Sequence, residues 1–221
     1  MDKFAVLEYF WKGGPVMWPL LFCSILAVAF VLERFWHYHK ASKHTNLFLD
    51  RIKEVFHSRN LRAALEVCEQ SRGPIASIIK AGLIKYQSSY KKSNELRQAE
   101  AEKAIEAAGG LEMARLERGL ITLATVSNVA PLLGFLGTVT GMIRSFDVIA
   151  RKGLNDPTLV AFGISEALIT TATGLIIAIP TLGFYNYFTS RVSKMVLQMQ
   201  ETATWLMETL ESSEDDFQPV K

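Results

Sequence analysis

Apolar residues along this chain gather into three blocks separated by charged and polar stretches. Between Lys12 and Glu33 lie 20 uncharged residues, and between Arg118 and Arg144 another 25. A third block runs from Pro157 to Ser190, 34 residues in which Glu166 is the sole charge. A hydrocarbon core about 30 Å thick is crossed by about 20 apolar helical residues. The pattern therefore predicts three transmembrane helices, over 16–36, 119–148 and 158–189. Strand-like alternation and internal repeats are missing from the sequence, so the expected class is an all-α integral membrane protein.

The polar stretches carry helical periodicity too. In 1–12, Phe4, Leu7 and Trp11 share a stripe with Phe10 at its edge, which fits an amphipathic helix on a membrane surface. Gly13-Gly14-Pro15 then breaks the chain before the first span. Phe35, Trp36 and Tyr38 form an interfacial aromatic cluster at that span's end. Over 37–117, Phe48, Ile52, Val55 and Phe56 mark one helix, and Asn60 caps a second over Leu61–Gln70. Pro74 opens a third, with Ile75, Ile78, Ile79 and Leu83 on one side. A long helix from Ser93-Asn94 is expected to run into the second span, with Gly109-Gly110 as its weak point at about 1 kcal/mol per glycine. Residues 149–157 make a short outer loop in which Asp156 caps and Pro157 opens the third span. The third helix is expected to continue over 190–211 and to fray in the acidic tail 212–221. Spans two and three thus extend into a cytoplasmic helical bundle.

Composition narrows the function class. The 221 residues are 49% hydrophobic with a net charge of +2, and the mean hydropathy is +0.17. So small a charge, without a basic patch, does not point to nucleic acid. Cys23 falls in a span and Cys68 in the polar region, so two free thiols are expected. His37, His39, His44 and His57 have no ligand-spaced partners, and His37-x-His39 would point to opposite sides of a helix. No metal or other cofactor is implied, nor is an enzyme. Basic residues near the span ends number nine on the side of 37–117 and five on the other. That bias sets the N-terminus outside and both large polar regions in the cytoplasm.

Candidate chemistry lies in spans two and three. An acidic side chain at a membrane helix centre costs about 2.5–3.5 kcal/mol on the mildest scale, which marks Glu166 as a functional group. Taking a carboxyl out of water favours its neutral form until water or a cation reaches it, and this suits loading and unloading of a proton. Gly163, Thr170, Thr173, Gly174, Ile177 and Thr181 share its helix face, within about 80° at 100° per residue; Thr171 lies farther round. A face of one acid and several hydroxyls is expected to meet a cavity or neighbouring subunits, and three spans are too few to enclose a path, so an oligomer follows. In span two Gly134, Gly137, Thr138 and Gly141 form a stripe that lets another helix approach closely. Pro131 and Pro180 each remove one helical hydrogen bond and are expected to kink their spans. Arg144 and Asp147, spaced i, i+3, read as an interfacial pair rather than as part of a path.

With those residues in place, the chain resembles the MotA/TolQ/ExbB proton-channel family, and its TolQ/ExbB branch more closely. The matching stretches are NVAPLLGFLGTVTG over 128–141 and GISEALITTATGLIIAIP over 163–180, with Leu32-Glu33-Arg34 at the exit of span one. The resemblance implies a homo-oligomeric ring, a pentamer, with spans two and three lining a pore that holds an ExbD/TolR-like single-span dimer. It assigns Glu166, Thr138 and Thr171 as pore-lining polar positions, with Thr170 an extra hydroxyl. The implied activity is conversion of proton-motive force into mechanical work from a bacterial inner membrane. ExbB-like driving of TonB-dependent uptake is the favoured cargo, ahead of TolQ-like envelope maintenance through a TolA-like protein, or gliding. The rival is a scaffold that conducts nothing.

Overall fold

The computed structural model describes residues 3–42, 45–57, 61–71, 73–90, 92–152 and 157–212. Eight helices occur among them. These are α1 (Lys3–Lys12), α2 (Met17–Ser42), α3 (Thr45–His57), α4 (Leu61–Gln70), α5 (Pro74–Ser88), α6 (Asn94–Glu117), α7 (Leu120–Lys152) and α8 (Pro157–Ser212). Three helical stretches are long and apolar enough to cross a membrane, one each in α2, α7 and α8. The expected caps Asn60 and Asp156, His44 and the tail beyond Ser212 lie outside the described residues, as do the side chains of His37, His39 and His57.

The chain divides into two compact units. The first holds α1, α2 as far as Arg34, α7, and α8 as far as Phe188. Its apolar core is thin: Val16, Met17, Leu20, Ala130 and Ala178 pack together with Phe10, Leu133, Ile169 and Ile177 against them. Cys23, Ala27 and Val126 continue it. Ile121, Leu132, Phe135, Ile176 and Ile179 stand on the outside, each more than 60% exposed. Large apolar side chains facing outward while small ones face inward reverse the order of a soluble protein, and suit a lipid or subunit environment. On α1, Phe10 is the anchor, with its ring 5.3 Å from that of Trp18; Leu7 and Trp11 stay exposed.

The second unit has the interior of a soluble bundle. Phe48, Ile52 and Phe56 of α3, Ile79, Leu83 and Tyr86 of α5, Ala101 and Ile105 of α6, and Leu206 and Leu210 of α8 form one cluster. Arg97 stacks on Tyr86, its guanidinium carbon 4.0 Å from the ring centre. Glu100 accepts from Ser89 and Lys92. Those donors hold its carboxyl down at about 2. Burial pushes the Cys68 thiol up to about 12.

One expectation about helix continuity is corrected. Gly109 and Gly110 lie inside unbroken α6, where an added Cβ would have its nearest neighbour 3.9 Å away at Gly109 and none within 4 Å at Gly110. The break comes instead at Arg118-Gly119, where Gly119 adopts φ 88°. A Cβ there would meet Arg34 Nε at 3.0 Å and Phe30 at 3.2 Å, so both backbone and space call for glycine. Arg34 itself is nearly buried and paired with Glu33 at 3.2 Å.

Candidate functional site

The site is built where α7 and α8 press together. A Cβ on Gly141 would lie 2.7 Å from the Gly163 carbonyl oxygen, and one on Gly174 would lie 2.6 Å from that of Ala130. A Cβ on Gly134 would meet the Thr170 carbonyl oxygen at 3.1 Å, and one on Gly137 would run into the side chain of Thr170. The small residues of both helices therefore form one seam inside a single chain, with backbones too close for any larger residue. Two hydroxyls bond across it: Thr171 Oγ1 donates to Gly134 O and Ser145 Oγ to Val160 O, each at 3.2 Å. Helix α7 runs through Pro131 and α8 through Pro180 without interruption. Near the second proline, Thr181 donates to Ile177 O at 2.6 Å.

Glu166 enters the seam nine residues from the start of α8, about 13 Å along its axis. Its side chain is 2% exposed and is not alone. Arg144, eight residues from the far end of α7 and about 12 Å along it, reaches over from the facing helix. One guanidinium nitrogen, Nη1, donates to both carboxylate oxygens, at 2.6 Å to Oε1 and 2.9 Å to Oε2. These charge-assisted bonds satisfy an acid that would be costly unpaired in this setting. The Arg144 side chain remains 52% exposed.

The turn before α2 closes the third side. Gly14 has φ 70°, and an added Cβ would stand 2.7 Å from Glu166 Cδ and 3.4 Å from Arg144 Nη1. Only a residue without a side chain lets the backbone pass over the carboxylate there.

The predicted residues distribute unevenly around this centre. Gly163, Thr170 and Gly174 are buried with Glu166, so the acid-bearing face of α8 packs on α7 of the same chain rather than on an open lumen. Thr170 is fully buried and donates to Ala167 O at 2.9 Å. Thr171 and Thr138 are half-buried, and Thr138 donates to Phe135 O at 2.7 Å. The pairing expected between Arg144 and Asp147 is replaced. Arg144 binds Glu166, and Asp147 binds Arg151 at 3.0 Å. Arg144 and Gly14 are the site residues that sequence reasoning missed. A signal for the first was present, since Arg144 is the one basic residue in 119–150 and stands level with Glu166 on an antiparallel neighbour.

Comparison with known proteins follows the same stretches. Residues 70–201 match the MotA/TolQ/ExbB proton channel family. The chain belongs to that family. A protein named ExbB-like 1 from Synechocystis sp. is 34% identical over 194 residues, covering 86% of this chain and 73% of the relative. Another from the same organism, named ExbB-like 3, is 31% identical over 191 residues, 86% of this chain and 87% of the relative. The Tol-Pal system protein TolQ of Pseudomonas aeruginosa is 40% identical over 94 residues, 42% of this chain and 41% of its own length. As a member of the ExbB/TolQ branch, the chain is a multi-pass membrane protein of proton-channel type. The match includes α7 and most of α8, and with them Arg144 and Glu166.

Proposed function

We propose that Glu166 is the proton-carrying group of this channel subunit and that the chain is ExbB-like, driving TonB-dependent uptake across an outer membrane. One observation carries the reading: a nearly fully buried carboxylate within an otherwise uncharged 34-residue apolar run. Moving one charge across 100 mV is worth about 2.3 kcal/mol, energy that has to be taken up at an ionisable group. The outward apolar side chains of α7 and α8, Leu132, Phe135, Ile176 and Ile179, suit a homo-oligomeric ring. In this reading the ring is a pentamer in the inner membrane, with the N-terminus periplasmic and the C-terminus cytoplasmic. Thr138 and Thr171, half-buried in the single chain, line the pore beside an ExbD/TolR-like dimer that passes force to a TonB-like protein. TolQ-like envelope maintenance or gliding would use the same subunit with a different cargo.

The Arg144–Glu166 bond joins α7 to α8 and so also favours a second reading, in which the pair is a lock within a non-conducting scaffold. Glu166→Gln separates the two. The transducer reading expects loss of energised uptake with normal membrane level and oligomer size on native gels. Uptake persisting at the wild-type rate would refute it and leave the scaffold.

A further inference from the structure

We propose that Arg144 is a movable counter-ion that latches Glu166 at rest and passes to Asp147 when Glu166 takes up a proton. The inference rests on the reading of Glu166 as the proton carrier. The pair is asymmetric: the acid is 2% exposed and the arginine 52%. Burial of both partners within the chain would be expected of a structural lock, whereas here the acid is enclosed and the arginine is left half uncovered by its own chain. The contact uses a single guanidinium nitrogen for both oxygens rather than the two-nitrogen fork that holds arginine to carboxylate most firmly. A single-nitrogen contact can be broken by one rotation of a long, flexible side chain. Three residues along the same helix stands Asp147, within reach of position 144 on a helix surface. Asp147 is 54% exposed and already held by Arg151 at 3.0 Å, so a second acceptor for a guanidinium is in place.

Proton and guanidinium compete for the same two oxygens. When a proton binds Glu166, the carboxylate loses its charge and Arg144 loses its partner. The released cation then joins Asp147, and the return of Arg144 favours expulsion of the proton. The remaining surroundings of Glu166 offer no rival among the described residues. Helix α8 places no other charge in 157–190. The turn before α2 brings the backbone of Gly14, and Lys12, two residues earlier in the sequence, is bonded to Glu8 at 2.7 Å.

The full-length protein in lipid nanodiscs, treated with dicyclohexylcarbodiimide, reports this directly. The reagent adds to the protonated carboxyl group and rearranges to a stable N-acylurea, which mass spectrometry locates at Glu166. Arg144→Gln is expected to label at least about tenfold faster than wild type, the loss of a charge-assisted hydrogen bond, and Arg144→Lys to return close to the wild-type rate. Asp147→Asn, an exposed substitution that leaves the seam intact, removes the alternative seat and is expected to slow labelling several-fold. Arg144→Gln labelling at the wild-type rate, or Asp147→Asn leaving the rate unchanged or raising it, overturns the proposal. Labelling does not require transport, so these results stand apart from the uptake test of Glu166→Gln.

Discussion

Replacing Gly141 with alanine adds one methyl group where the α7–α8 seam has no room. The new Cβ would stand 2.7 Å from Gly163 O and 3.1 Å from both Ala167 Cβ and Ala167 N. Two of those three atoms belong to the backbone, so rotating a side chain does not relieve the clash; the helices must separate. Overpacking of this kind costs about 1–3 kcal/mol. Separation also breaks the Thr171–Gly134 and Ser145–Val160 bonds, each worth about 0.6 kcal/mol between membrane helices. The expected destabilisation is therefore about 2–4 kcal/mol. Gly183 provides the control, since it is also helical and a Cβ there would meet nothing within 4 Å. Its replacement by alanine is expected to be neutral or to stabilise by up to about 1 kcal/mol through helix propensity. The assay is equilibrium unfolding of the full chain in mixed micelles, followed by circular dichroism. Equal stability for Gly141→Ala and Gly183→Ala would falsify the packing argument.

Gly119→Ala is expected to lower the unfolding midpoint, because a left-handed residue there costs about 1–2 kcal/mol and its Cβ crowds Arg34 and Phe30; the same unfolding assay reads it, and a midpoint equal to wild type would count against the turn. Cys68, buried with its thiol pushed up to about 12, is expected to resist iodoacetamide at pH 8 until denaturant opens the unit, so prompt alkylation of native protein would contradict the burial. Glu100 is held at about 2, below its ordinary 4.5. Its stabilising contribution is thus present above pH 4.5 and lost as pH falls from there through 2. Unfolding titrations of wild type and Glu100→Gln are expected to differ at pH 6 and to converge near pH 2; a gap that widens on acidification would show the sign to be wrong.

Much of the fold could be read from periodicity, because each helix had to bury one face. The stripe of Gly134, Gly137 and Gly141 announced a close helix neighbour, and Leu61–Gln70 and Pro74 marked helix bounds that recur in α4 and α5. Failure came where long-range contact outweighed local spacing. Asp147 lies three residues from Arg144 and Glu166 lies 22 away, yet the buried acid has more to gain from a cation than an exposed one that can pair with Arg151. Similarly, Gly109-Gly110 is the weak point of its helix by propensity, but low propensity alone does not break a helix. The chain leaves the helix at Arg118-Gly119, where Gly119 has positive φ and Arg34 and Phe30 leave no room for a side chain. The passage of Gly14 over Glu166 has no signature in sequence, since 152 positions separate the two residues.

Along α7, Gly134, Gly137 and Gly141 are buried, while Leu132, Phe135 and Phe146 are each more than 60% exposed. At 3.6 residues per turn, inserting or deleting one residue swings everything beyond it by about 100°. A deletion between Gly134 and Gly137 would bring Thr138 and Met142 to the places of Gly137 and Gly141, where the gap is sized for a hydrogen atom, and carry Arg144 away from its acid. This helix should therefore accept many side-chain exchanges on its outer surface, yet no change of length.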